Sequence, residues 1–191
     1  MNHRPSDTGH PDSTPDTDTA ASEYPTTVED PSTGARITFV ERDVDERGPY
    51  LLVEGVLPPG RDGGPARLHP RSEARSEVVA GRAVVTVSGE ERVLLPGESV
   101  VVGAGDPHTI RNGDEGPLVV RTTLRPPDGY EAAIRALYEL GAGGRPDPLG
   151  VAAVLYRHRD DVRLAGVPWR LQRPILRVLA VVARALERAP A

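Results

Sequence analysis

The chain has 191 residues and a formal net charge of −5. That length suits one domain with appendages, and the acidic balance argues against general nucleic-acid binding. There is no Cys, which excludes disulfides, thiolate metal sites and cysteine nucleophiles; all 23 basic residues are Arg, which excludes a catalytic lysine.

With one Phe and one Trp, the core must be built of Val, Leu and Ala. No apolar run opens the chain as a secretory signal would, and no stretch of about 18 apolar residues could span a bilayer. The expectation is a soluble cytoplasmic protein. Residues 1–28 are rich in Asp, Thr, Ser and Pro. Such a segment buries too little to offset its ordering entropy, so residues 1–30 are expected to be a disordered acidic N-terminal tail.

From Ala35 to Arg125 short β-type runs alternate with Gly and Pro breaks. Strands are predicted at Arg36–Glu41, Tyr50–Leu57, Arg67–His69, Ser76–Ala80, Ala83–Val87, Glu91–Leu95, Ser99–Val102, His108–Arg111 and Leu118–Leu124. Ser88-Gly89 between two Val-rich runs predicts a tight hairpin. Many short strands with nothing helical between them indicate a sandwich or barrel rather than a parallel α/β fold. After Pro126-Pro127 the period becomes helical. Asp128 can cap a helix whose Tyr130, Ile134, Leu137 and Gly141 share a face, ending at Gly141–Gly144. Asp147-Pro148 fits an N-cap followed by Pro at the first helical position. A third helix should run from about Pro168 to Arg188, with Pro174 kinking it or marking its start. The organisation expected is a tail (1–30), an all-β barrel (31–125) and a helical C-terminal extension (126–191).

Two stretches carry the chemistry. In the second, Gly97, Gly103, Gly105, His108 and Asn112 reproduce a spacing of Gly, five residues, one position, one residue, Gly, two residues, His, three residues, Asn. The first, Ala66 to Gly81, contains Arg67, His69, Glu73 and Ala74. Over about Ala35 to Arg125 the chain resembles the cupin superfamily. That resemblance implies a double-stranded β-helix (jelly-roll) barrel with a three-His, one-carboxylate metal cage facing inward. It makes His69 and His108 the surviving ligand positions, while Gly103 stands where the family has Pro. Arg67 stands where the resemblance wants a first His, and Ala74 where it wants Glu.

The departures bear directly on function. A guanidinium has no lone pair to give a metal, and an alanine gives nothing. Glu73 is adjacent to the missing carboxylate, but one residue's shift along a strand turns a side chain to the opposite face unless a bulge intervenes. Two readings from different classes follow. In the first, a small, anionic molecule is bound in the barrel without catalysis, by Arg67, His69 and His108, and no cofactor is needed. In the second, a metal-dependent enzyme of dioxygenase or isomerase type uses His69 and His108 with a non-standard third ligand such as Glu73, around Fe, Mn, Ni, Cu or Zn. A third, bland reading pairs Arg67 with Glu73 or Glu77 and leaves both histidines structural. Asn112 reads as a turn-former beside Gly113, and His158 as a charge-compensated surface residue.

Arg170, Arg173, Arg177, Arg184 and Arg188 recur at helical steps opposite Leu171, Ile175, Leu176, Val178, Leu179, Val182 and Leu186. Such a basic amphipathic helix has three fates: packing its apolar side on the barrel, pairing with a second copy, or lying on an anionic membrane. Packing or a homodimer is expected ahead of the membrane.

Overall fold

The structure, a computed structural model, describes residues 24–142 and 147–187. Eleven strands and three helices follow in chain order: β1 (Thr26–Glu29), β2 (Arg36–Asp45), β3 (Gly48–Leu57), β4 (Arg67–Leu68), β5 (Glu73–Ala80), β6 (Ala83–Val87), β7 (Glu90–Leu94), β8 (Ser99–Val102), β9 (His108–Asn112), β10 (Leu118–Arg125), α1 (Tyr130–Ala142), α2 (Pro148–Arg157), β11 (Arg163–Leu164) and α3 (Trp169–Glu187). Two antiparallel sheets form the double-stranded β-helix. One runs β1-β2-β3-β10-β5-β8 and the other β11-β4-β9-β6-β7.

Alternation along the strands sets what faces inward. In β6 Ala83 and Val85 are buried, and in β8 Val100 and Val102 are, while Val101 between them is half exposed. The hairpin between β6 and β7 turns on Ser88 and Gly89, both with positive φ, the geometry a two-residue turn needs to match strand twist. At Gly81 the positive φ coincides with close approach to the backbone of Pro117 and Leu118, leaving no room for a Cβ.

Three expectations are corrected. The tail does not extend to residue 30: Thr26–Glu29 form β1, paired with Arg36–Phe39 of β2. Its support is remote in sequence, since the Tyr24 hydroxyl donates to Glu131 and Arg135 donates to Thr26, both partners on α1. The C-terminal region is not purely helical, because β11 pairs with β4 and extends the second sheet. Pro174 lies inside α3, on an exposed side, and does not start it. The rest of the expected tail, residues 1–23, lies outside the described residues, as do Gly143, Gly144 and Arg188.

Other expectations hold. Asp147 caps α2, accepting from the N–H groups of Leu149 and Gly150, with Pro148 opening the helix. The predicted face of α1 turns onto the barrel: Tyr130 and Ile134 join Phe39, Leu51, Val53 and Leu124 in one core that also takes Leu155 of α2. A second cluster around Val78, Val85 and Leu118 fills the rest of the barrel.

Candidate functional site

Between the sheets and beneath α1 lies a cavity of about 470 Å³. Most of its lining is aliphatic, from β3, β5, β8 and β10, and Ile134, Leu137 and Tyr138 of α1 close one side. Part of its polar wall comes from the two sequence motifs, and the rest from Asp30, Thr33, Arg36, Asp62 and Thr122. β4 and β9 are hydrogen-bonded neighbours in which Arg67 is paired with His108. His69 follows β4 directly, and its carbonyl accepts the N–H of Gly105 at 2.7 Å, joining the first motif to the second. Arg67, His69 and His108 all line the cavity.

The two imidazoles are buried, with ring centroids 5.0 Å apart, and Tyr130 stands edge-on to His69 at 5.3 Å. His69 Nδ1 lies 3.1 Å from the Asp161 carbonyl and His108 Nδ1 lies 3.2 Å from the Asp106 carbonyl. A carbonyl only accepts, so each Nδ1 carries the proton and each Nε2 keeps its lone pair. Among the described residues neither Nε2 has a hydrogen-bond partner. Burial holds both imidazoles well below the usual histidine range, at about 4 each. The positive charge of Arg67 adds to the effect, as does mutual repulsion at His69. Burial also pushes the Tyr130 phenol up, and that of Tyr138 up to about 12. The two imidazoles are therefore neutral, and the charged residues of the lining are Arg67, Arg36, Asp30 and Asp62.

Arg67 donates through Nη1 to the Gly63 carbonyl at 2.8 Å. Among the described residues no carboxylate comes within ion-pair distance of it. The pairing of Arg67 with Glu73 or Glu77 is thus not what forms. Glu73 faces the other way: it pairs with Arg47 at 3.6 Å and is 46% exposed, while Ala74 beside it lines the cavity. The ladder runs regularly through this point, with Glu73 opposite Arg125 and Ala74 opposite Leu124, so no bulge re-aims the carboxylate. Glu73 is not a third ligand to the histidine pair.

The profile of the Cupin domain family matches residues 53–124. Residues 53–124 are a cupin domain. No curated protein matches the sequence. Solved structures similar to this cupin include TT1209 from Thermus thermophilus, 29% identical over 39% of this chain and 70% of that one, TM-score 0.38. KdgF from Halomonas is 24% identical over 51% of this chain and 84% of its own, TM-score 0.44. An RmlC-like cupin from Shewanella frigidimarina is 22% identical over 58% of this chain and 91% of its own, TM-score 0.47.

A cupin barrel commonly holds a metal, so the donor set has to be tested for one. Two imidazole Nε2 atoms are available, Ala74 supplies nothing, and Arg67 brings a positive charge beside them. Among the described residues no group of three His, Asp or Glu side chains converges. The residues present do not fit a three-imidazole, one-carboxylate cage.

Asp161 escaped the sequence reading. Its carbonyl fixes His69, and its carboxylate accepts the N–H of Gly129 at 3.0 Å and pairs with His158 at 3.5 Å and Arg71 at 3.6 Å. One residue thus ties the start of α1 to the cavity wall, in the capping place expected of Asp128. Asp128 itself pairs with Arg71 at 3.3 Å. A Cβ on Gly129 would run into the Asp161 carboxylate, which explains the glycine. The pattern Asp160-Asp161 in a loop carries no signal of this role. Tyr130 on the predicted α1 face was legible as core, though not as cavity lining, and Tyr138, which also lines the cavity, was not singled out. Asn112 is more than a turn-former: it is buried, donating through Nδ2 to the carbonyls of Leu57, Pro58 and Gly116 and accepting from Asp114 N.

Proposed function

We propose that this cupin binds a small molecule with an apolar body and an anionic group, without a metal and without catalysis. The observation that carries the reading is Arg67: a guanidinium with no carboxylate partner among the described residues, beside two neutral imidazoles at the wall of a mostly aliphatic cavity. An anionic oxygen on the ligand would supply the missing partner through charge-assisted hydrogen bonds. The two Nε2 lone pairs would accept from a hydroxyl or N–H on the same ligand, and the aliphatic lining would hold its body. A cavity of about 470 Å³ falls within the range typical of small-molecule sites.

Calorimetric titration of the untagged protein with benzoate and octanoate, against the matching alcohols, tests this. The carboxylates should bind about tenfold or more tighter than the alcohols, and the preference should vanish in Arg67→Met. Equal affinity for acid and alcohol, or a preference that survives the substitution, overturns the anionic reading.

The alternative, a metal-dependent enzyme of dioxygenase or isomerase type, is favoured by one observation: both histidines offer a free Nε2 with Nδ1 held by a carbonyl, the arrangement that orients imidazole ligands. Metal analysis separates the two readings. Stoichiometric Fe, Mn, Ni, Cu or Zn that is lost in His69→Ala supports the enzyme. Protein that carries no metal and takes up none on titration removes it.

A further inference from the structure

Helix α3 has three sides, and only one is used within the molecule. At 3.6 residues per turn, Gln172, Leu176, Ala180 and Ala183 share the side packed against the rest of the fold. Gln172 fixes that side by donating to the carbonyls of Leu164 and Val167. Arg170, Arg173, Arg177 and Arg184 occupy a second side, exposed, and among the described residues none has an ion pair. The third and widest side presents Leu171, Ile175, Val178, Val181, Val182 and Leu186, each between 41% and 62% exposed.

This departs from the expectation that the apolar side would pack on the barrel. Gln172, Leu176, Ala180 and Ala183 took the packed side, and six large aliphatics were left outside. Six large aliphatics side by side on one helix are not the scattered exposure of an ordinary surface.

We propose that α3 seats the protein on an anionic lipid surface, with its aliphatic side among the acyl chains and its arginines at the headgroups. Charge complementarity selects this occupant. The whole chain is acidic, at −5, yet α3 carries four arginines without an ion pair among the described residues and no acid before Glu187. Guanidinium groups pair bidentately with phosphate, and their aliphatic stems lie along apolar surface while the charged ends reach outward. Among the described residues no helix is long and apolar enough to cross a membrane, so α3 lies along the surface rather than through it. A second copy is a poorer occupant. Leu171, Ile175, Val178 and Val182 alternate by four and three, but the seam covers about two heptads where a self-pairing helix wants three or four. A second α3 would also bring arginines and no counter-charge.

The test is flotation of the full chain with two kinds of vesicle: phosphatidylcholine alone, and equal parts phosphatidylcholine and phosphatidylglycerol. The protein should float with the mixed vesicles only, and added salt should release it. The triple variant R170Q/R177Q/R184Q should bind them roughly a hundredfold more weakly, and I175D/V178D should not float, both with unchanged circular dichroism. All these positions are exposed, so the variants fold. Failure to float with mixed vesicles overturns the proposal, as does equal flotation with both kinds or full binding by the triple variant. A dimer in sedimentation velocity that I175D/V178D disperses, in protein that does not float, assigns the face to a second copy and overturns it too.

Discussion

Two buried polar sites in one barrel are built on opposite terms. Asn112 uses every hydrogen-bonding group it has. Its amide nitrogen serves three carbonyls, from Leu57, Pro58 and Gly116, and its oxygen receives Asp114 N. His69 and His108 use half: each engages Nδ1 with a backbone carbonyl and keeps Nε2 open. Arg67 beside them keeps a charge that no carboxylate among the described residues neutralises. A saturated polar group rigidifies a fold, and an unsaturated one raises the energy of the empty site until something fills it. The contrast fits Asn112 to stability, and it is the ground on which a binding role is proposed for Arg67, His69 and His108.

The largest expected effect comes from pH. Both folded-state imidazoles titrate at about 4 against 6.5 for an ordinary histidine. Between those values the unfolded chain takes up protons that the folded chain refuses. Stability is therefore complete above pH 6.5 and falls as pH drops toward 4, by on the order of 3 kcal/mol for each imidazole. Urea unfolding at half-unit steps measures the slope. The double variant H69Q/H108Q should flatten it; an equal slope in both proteins would mean that carboxylates, not the pocket, govern the response.

Next comes the saturated partner in the comparison. Asn112→Ala should cost about 2 kcal/mol in urea unfolding, because three part-buried carbonyls lose their donor. Benzoate affinity at a temperature where the variant stays folded should match wild type. A cost under about 1 kcal/mol would mean that water replaces the amide and that the two polar sites differ less than their geometry implies.

Much of this was legible in the sequence, for physical reasons that differ by element. The barrel strands declare themselves because one face is buried and the other is not, so pattern and structure coincide at Ala83–Val87 and Ser99–Val102 almost residue for residue. His69 and His108 were placed by the resemblance of the two motifs to the cupin superfamily, and Asn112 by its fit to the spacing of the second. The outward aim of Glu73 followed from strand alternation. β1 was hidden because its order depends on Glu131 and Arg135, over a hundred residues away. β11 has two residues, too few to show a period. The sides of α3 were visible as a pattern, but which side finds a partner is decided by what α2 offers, and that is tertiary.

Arg67→Met sharpens the contrast from the other side. The substitution keeps an apolar stem along the wall and removes a charge that no carboxylate among the described residues balances, at the loss of a bond to the Gly63 carbonyl and a long one to that of Pro65. Stability should change by no more than about 1 kcal/mol in either direction, while carboxylate binding is lost. A large destabilisation would make Arg67 a structural residue like Asn112.

The smallest effect is expected at Glu73, and it separates the two functional readings most cleanly. Its carboxylate is 46% exposed and meets an Arg47 that is 67% exposed, across 3.6 Å. Solvent screens such a pair, so Glu73→Gln should shift stability by less than about 0.5 kcal/mol. It should also leave the pH slope of the pocket histidines and any metal content unchanged, since β5 points the side chain away from both imidazoles. Were a metal present and lost in this variant, the strand would have to turn Glu73 inward in the loaded protein, and the barrel would be a metal centre after all. A silent Glu73→Gln leaves the histidine pair without a carboxylate ligand from β5 and with Arg67 beside it on β4, the arrangement the anionic reading requires.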